Sequence, residues 1–265
     1  MNNTKFYYLY SILSITALSF FNPILYIYLL SKDFSFTEVG LYLSIFWLVS
    51  FMTELPCGAI TDNIGAKNSI LLSVVFRVVG LILLLSNSLI LLCISAILSA
   101  IAESFQSGTL TSWLVNVNNK NNEEIDIDKV LSRSSLYSLF FSAVIGFISA
   151  KYVYVYYKSL SIILSMSIFI ISFLFTYLFM KKLEQTQKIS FEMLKGSFVT
   201  VKNSLKETLY VKSSVFLMLL FVIPSILDLG PSNQWQAVFE KLDSDIIGYI
   251  WVGISVSGML GSVIY

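Results

Sequence analysis

A chain of 265 residues with 56% hydrophobic and only 12% charged side chains carries more apolar surface than one water-soluble core can cover, so it reads as an integral membrane protein. The formal net charge of +1 is uninformative by itself, and no basic domain speaks for nucleic acid. The lack of any histidine excludes His-based metal sites, Ser-His and Cys-His catalysis and histidine proton relays, while Cys57 and Cys93 lie in separate apolar segments that argue against a disulfide framework.

Residues 6–31 form an apolar run rich in Tyr and Phe, long enough to cross about 30 Å of hydrocarbon. It is too long for a cleaved signal peptide, and Asn22-Pro23 interrupts it. Ser35 and Glu38 have the pattern of a helix start, with a second span over about 38–57. A tight polar turn then leads to spans over about 69–86 and 89–112, a polar segment from Asn116 to Lys129, and spans over about 134–150 and 153–180. Lys151 is expected between the last two, with Lys158 just inside the sixth. Residues 181–212 combine seven lysines with Phe191, Leu194, Phe198, Val201, Leu205 and Leu209 at spacings of three and four, the pattern of an amphipathic surface helix joining two halves. Further spans begin near 213 and 245.

The basic residues give an orientation. With the N-terminus inside, Lys5, Lys67, Lys120, Lys129, Arg133 and the seven linker lysines fall on the cytoplasmic side, against Lys32, Lys151, Lys158 and Lys241 outside. Twelve against four agrees with the positive-inside rule. Arg77 is left within the membrane.

The turn between the second and third spans reads Gly58-Ala-Ile-Thr-Asp62-Asn-Ile-Gly65-Ala-Lys67. It resembles the major facilitator superfamily, whose corresponding loop follows G-x-x-x-D-(R/K)-x-G-(R/K)-(R/K). Gly58, Asp62, Gly65 and Lys67 match, whereas Asn63 and Ala66 leave two usual basic positions neutral. Glu54 with Pro56 resembles the E-x-P-x-G variant found before this turn in bacterial exporters. Glu103-Ser-Phe-Gln106-Ser-Gly-Thr, with Trp113-Leu, resembles the fourth span of drug-exporting members. The resemblance implies an all-α polytopic bundle in which the fourth and seventh spans line a central cavity and the turn residues act as a conformational switch.

An offset of 208 residues relates Asn22-Pro23 to Gly230-Pro231 and Gly40 to Gly248, as in a parallel repeat of six spans. The second copy of the turn would begin at 266, past the last residue. The expected organisation is a six-span half over 1–180, a cytoplasmic linker over 181–212, and the first two spans of a second half over 213–265, in an apparently C-terminally truncated chain. A self-contained eight-span protein is the alternative.

Ionisable groups inside spans are functional candidates because burying them is costly. Glu103 either carries a proton or pairs with Arg77, whose depth matches when counted at about 1.5 Å per residue. Asp228 with Gln234 and Trp235 forms a polar and aromatic strip that lines the cavity by resemblance, or else sits at the outer interface beside a break at Gly230-Pro231. Asn22 and Gln106 complete the expected pathway. In the fifth span Ala143 and Gly146 only faintly resemble the Gly-Pro motif of proton antiporters, and the Pro is absent. No nucleotide-binding loop is present, and Gly253-Ile-Ser255 has no histidine base, so neither ATP-driven pumping nor intramembrane proteolysis is expected. The resemblance implies a secondary active exporter of a small amphiphilic molecule in the cell membrane, without a cofactor, driven by a proton gradient and monomeric if complete. A transport-inactive fragment of such a protein is the alternative.

Overall fold

The computed structural model describes residues 2–121, 125–181, 210–240 and 246–264. Among these the chain is α-helical, with six helices long and apolar enough to cross a membrane: Asn3–Leu30, Phe36–Ile64, Ala66–Leu84, Leu89–Lys120, Ile127–Tyr156 and Leu160–Phe179, here spans one to six. A seventh helix, Lys212–Glu240, and an eighth, Ile246–Ile264, follow. Nearly all of the amphipathic linker expected over 181–212 lies outside the described residues.

Local chemistry sets several boundaries. Ser35 begins span two with a capping box: its Oγ accepts from Glu38 N at 3.3 Å, and Glu38 Oε2 accepts from Ser35 N at 2.7 Å. Asp126 caps span five by accepting from Lys129 N at 3.1 Å. Lys32 Nζ donates to Leu85 O and, at 3.0 Å, to Ser86 O, closing the carboxyl end of span three. Partial burial lowers the Lys32 pKa.

Elsewhere the helices outrun the expected spans. The polar turn at 54–67 is largely helical, because span two continues to Ile64 and only Gly65 breaks it, with φ 90° and ψ 151°, a conformation open to glycine. The Asn63 amide bonds back to Ala59 O at 2.6 Å, so polarity here does not end the helix. Span four breaks at Gly108 (φ 65°) and then continues through the asparagine-rich stretch to Asn121. Span five passes through a π-helical turn at Ser149–Val153 and ends at Tyr156, which puts Lys151 inside it and Lys158 in the following turn, not inside span six. The seventh helix runs unbroken through Gly230 and Pro231, so no break accompanies the repeat there.

Hydroxyl-to-carbonyl hydrogen bonds hold the bundle together where apolar burial gives little drive in lipid. Ser73 Oγ donates to Ala102 O at 2.8 Å and Ser95 Oγ to Gly80 O at 2.7 Å, joining spans three and four. Ser165 Oγ donates to Ala17 O at 2.6 Å and Ser149 Oγ to Phe20 O, holding spans six and five against span one. Two apolar clusters fill the space between, one around Phe6, Tyr10, Trp113 and Met180 and one around Ile27, Leu29, Leu84 and Phe169. The eighth helix packs along span five, with Phe147 Cδ2 only 3.1 Å from where a Cβ on Gly248 would stand.

The crossing of spans three and four tests this scaffold. A Cβ on Gly80 would lie 2.7 Å from Ser99 Oγ and 3.3 Å from Ser95 O. Gly80→Val is therefore expected to cost about 2–3 kcal/mol by overpacking and to lower the melting temperature measured by tryptophan fluorescence in detergent, whereas Gly40→Val, with no atom within reach, changes it little.

Candidate functional site

Spans three and four meet at Gly80, and the serine bonds on either side of that contact fix their register. Arg77 lies between the two cross-links, one turn from the residue, Ser73, that reaches the Ala102 carbonyl, and Glu103 directly follows Ala102. Arg77 Nη2 donates to Glu103 Oε2 in an ion pair inside the bundle. Of the two readings of Glu103, the pair is therefore the arrangement the structure adopts.

The partners are unequally placed. The Arg77 side chain is 4% exposed and that of Glu103 is 45% exposed, so the cation is sealed in protein while the carboxylate faces an open space. Arg77 Nε is buried with no hydrogen-bond partner among the described residues. The fully buried Tyr10 lies near both charges.

That open space is a cavity of about 390 Å³, within the range of small-molecule sites. Its walls come from spans one to four and from the seventh and eighth helices: Asn22, Tyr26, Tyr42, Phe46, Trp47, Arg77, Ser99, Glu103, Trp235, Gln236 and Trp251 are among them. Among the described residues of this wall Arg77 and Glu103 are the charged ones, and the rest are aromatic, aliphatic, amide or hydroxyl. Trp235 and Trp251 stack with ring centroids 6.5 Å apart, giving the cavity a flat apolar face from the seventh and eighth helices.

Among the residues expected from sequence, Asn22, Arg77, Glu103 and Trp235 line the cavity. Gln106 does not: its Nε2 donates to Ser14 Oγ at 2.6 Å and joins span four to span one. Gln234 is exposed, outside the wall, because two residues along a helix turn a side chain by about 200° and bring Gln236 inward instead. Asp228 lies on the seventh helix, with its side chain outside the described residues. Sequence reading missed Gln236, Tyr42, Trp47, Ser99 and Trp251. A signal existed for Ser99, because Ser95, Ser99 and Glu103 recur every four residues on one helical face.

The turn residues form a separate group at the far end of span two. Glu54 is exposed and Asp62 too, and Asp62 makes no ion pair among the described residues; Pro56 and Gly58 lie within the helix. Lys67 closes the carboxyl end of span six. Its Nζ donates to Tyr177 O at 2.7 Å and to Met180 O at 3.0 Å, and it lies 5.6 Å from the Tyr177 ring centroid. The turn thus grips span six just before the linker begins.

The sequence profile of the Major Facilitator Superfamily matches residues 7–265. The chain is 26% identical over 219 residues to a protein of Bacillus subtilis (strain 168) described as an uncharacterized MFS-type transporter, YxaM; the match covers 79% of this chain and 54% of that protein. The chain therefore spans about half the length of this relative.

The unequal burial of the ion pair predicts unequal costs. Glu103→Leu strands a buried guanidinium and is expected to cost roughly 2–3 kcal/mol, more than Arg77→Leu, which leaves a carboxylate facing the cavity. The double variant Arg77→Leu/Glu103→Leu should regain most of the loss in a double-mutant cycle read by thermal unfolding in detergent. Strictly additive losses would speak against coupling.

Proposed function

The chain belongs to the Major Facilitator Superfamily, a family of transporters, and from that premise we propose that the complete protein is a secondary active exporter of a small amphiphilic molecule, driven by a proton gradient. The observation that carries this reading is the aromatic cavity with a half-exposed carboxylate on its wall. Flat rings take up the apolar body of a ligand, while amides, hydroxyls and one carboxylate orient its polar end. Arg77 is the fixed partner; Glu103 is the one with room to exchange that partner for a proton or a ligand group.

Contacts of the seventh and eighth helices with the first six spans support a reading of alternating access. Toward the Lys32 end, Gln236 reaches span one and Lys151 Nζ donates to Tyr249 OH at 2.8 Å, while near the middle of span five Trp251 Nε1 donates to Ser142 O at 2.9 Å. The other end of the seventh helix has exposed Phe216, Leu217 and Leu220. This supports a state closed at the Lys32 end and open at the Gly65 end. The lysine distribution supports a cytoplasmic Gly65 end and an N-terminus on the inner side of the cell membrane. The exposed turn residues Glu54 and Asp62, together with Gly65 and Lys67, then serve the conformational switch.

The test is transport by the full-length protein in vesicles with an imposed pH gradient, using a panel of fluorescent amphiphiles. Glu103→Gln is expected to abolish gradient-driven accumulation and to retain substrate exchange without a gradient, because Gln keeps the shape and loses the titrating proton. Undiminished gradient-driven transport by Glu103→Gln overturns its proposed role, and a parent protein that moves none of the panel overturns the substrate class.

A further inference from the structure

In an unbroken helix the N–H of Tyr26 would donate to the C=O of Asn22, four residues earlier. Pro23 and the 3-10 turn Asn22–Ile24 open that pair. The gap is filled from 210 residues away: Gln236 Oε1 accepts from Tyr26 N at 2.9 Å, and Gln236 Nε2 donates to Asn22 O at 2.8 Å. One side-chain amide therefore stands in for both ends of a missing main-chain hydrogen bond. Gln236 is 5% exposed and forms part of the cavity wall.

The geometry points to Gln236 as a latch that closes the Lys32 end of the cavity by exchanging with the Asn22–Tyr26 hydrogen bond of span one. The inference rests on the alternating-access reading. If the seventh helix withdrew while span one kept its break, the Tyr26 N–H would lose its partner and Asn22 O would keep only its 3-10 bond deep in the bundle, a costly arrangement away from water. Span one removes that cost by closing its own bond and straightening. The two states then contain matched sets of hydrogen bonds, as a reversible closure requires. The amide is the chemistry needed, because the site demands one acceptor and one donor on a single short side chain. Simple packing would be served equally by leucine.

Two variants separate the latch from a packing role. Gln236→Leu fills the space but offers neither group. Gln236→Glu always accepts, but it donates only when protonated; when ionised it sets a negative charge against Asn22 O. The readout is labelling by a membrane-impermeant maleimide from the Lys32 side, in full-length proteins carrying Cys57→Ala, Cys93→Ala and Leu29→Cys, with every cysteine outside residues 1–265 replaced by alanine. Leu29 is fully buried and lines the cavity.

Compared with the parent at the same pH, Gln236→Leu is expected to raise the labelling rate about tenfold at every pH. Gln236→Glu should match the parent near pH 5 and rise about tenfold near pH 8, since burial lifts a carboxyl from its ordinary range toward neutrality. Rates that are equal in all three proteins at both pH values overturn the latch, as does a Gln236→Glu response without pH dependence. A second reporter, Ser107→Cys in place of Leu29→Cys and labelled from the Gly65 side, tests the underlying reading separately. A rise at Leu29→Cys with a matching fall at Ser107→Cys supports both, whereas a rise at Leu29→Cys alone supports the latch and overturns alternating access.

Discussion

In hydrocarbon, a backbone group released from its helix has no water to turn to, so every break in a membrane helix must be met by another part of the protein. This constraint explains much of the architecture. Span one is broken at Pro23, and the groups exposed there are taken up by Gln236. Around it, serine hydroxyls give their protons to carbonyls of neighbouring spans, from Ser73 to Ala102, Ser95 to Gly80, and Ser165 to Ala17. Small side chains let the helices approach, and each approach is secured by a hydrogen bond rather than by apolar area alone.

The same constraint governs charge. Arg77 is tolerated inside the bundle because Glu103 meets it, and the pair opens to the cavity mainly through the carboxylate. At the membrane boundaries, Lys32 closes the carboxyl end of span three and Lys67 that of span six. Both lysines count toward topology as point charges, yet each also satisfies carbonyls that end a helix. The turn carrying Lys67 is tied to span six by this contact, which links the proposed switch to the element leading into the second half.

Much of this was legible in the sequence, for reasons that differ from residue to residue. The six membrane-length apolar helices and the helix start at Ser35–Glu38 are local signals, and both appear as expected. The match in depth of Arg77 and Glu103 needed only the rise per residue and neighbouring spans. Boundaries failed where polarity was taken for loop: the Asn63 amide N–H donates within its own helix, and the asparagine-rich end of span four stays helical. Gln236 was not legible, because choosing between Gln234 and Gln236 requires the rotation of a helix whose partner lies 210 residues away. Gln106 shows the converse, a polar residue in a resembling stretch that serves packing against Ser14.

The shared offset of 208 residues shows how far such spacing carries. It pairs Asn22-Pro23 with Gly230-Pro231 and Gly40 with Gly248, yet the first member of each pair differs from the second in its surroundings. The backbone is 3-10 at Asn22–Ile24 and continuous α-helix through Gly230 and Pro231. A proline removes one donor in both places, and in span one a side chain from another helix occupies the opening. Gly248 sits tightly against Phe147, whereas a side chain on Gly40 would meet nothing within 4 Å. Spacing is thus shared between the two stretches while the constraint on each position is set by its neighbours. A role argued for a residue in one stretch therefore has to be derived again from contacts in the other.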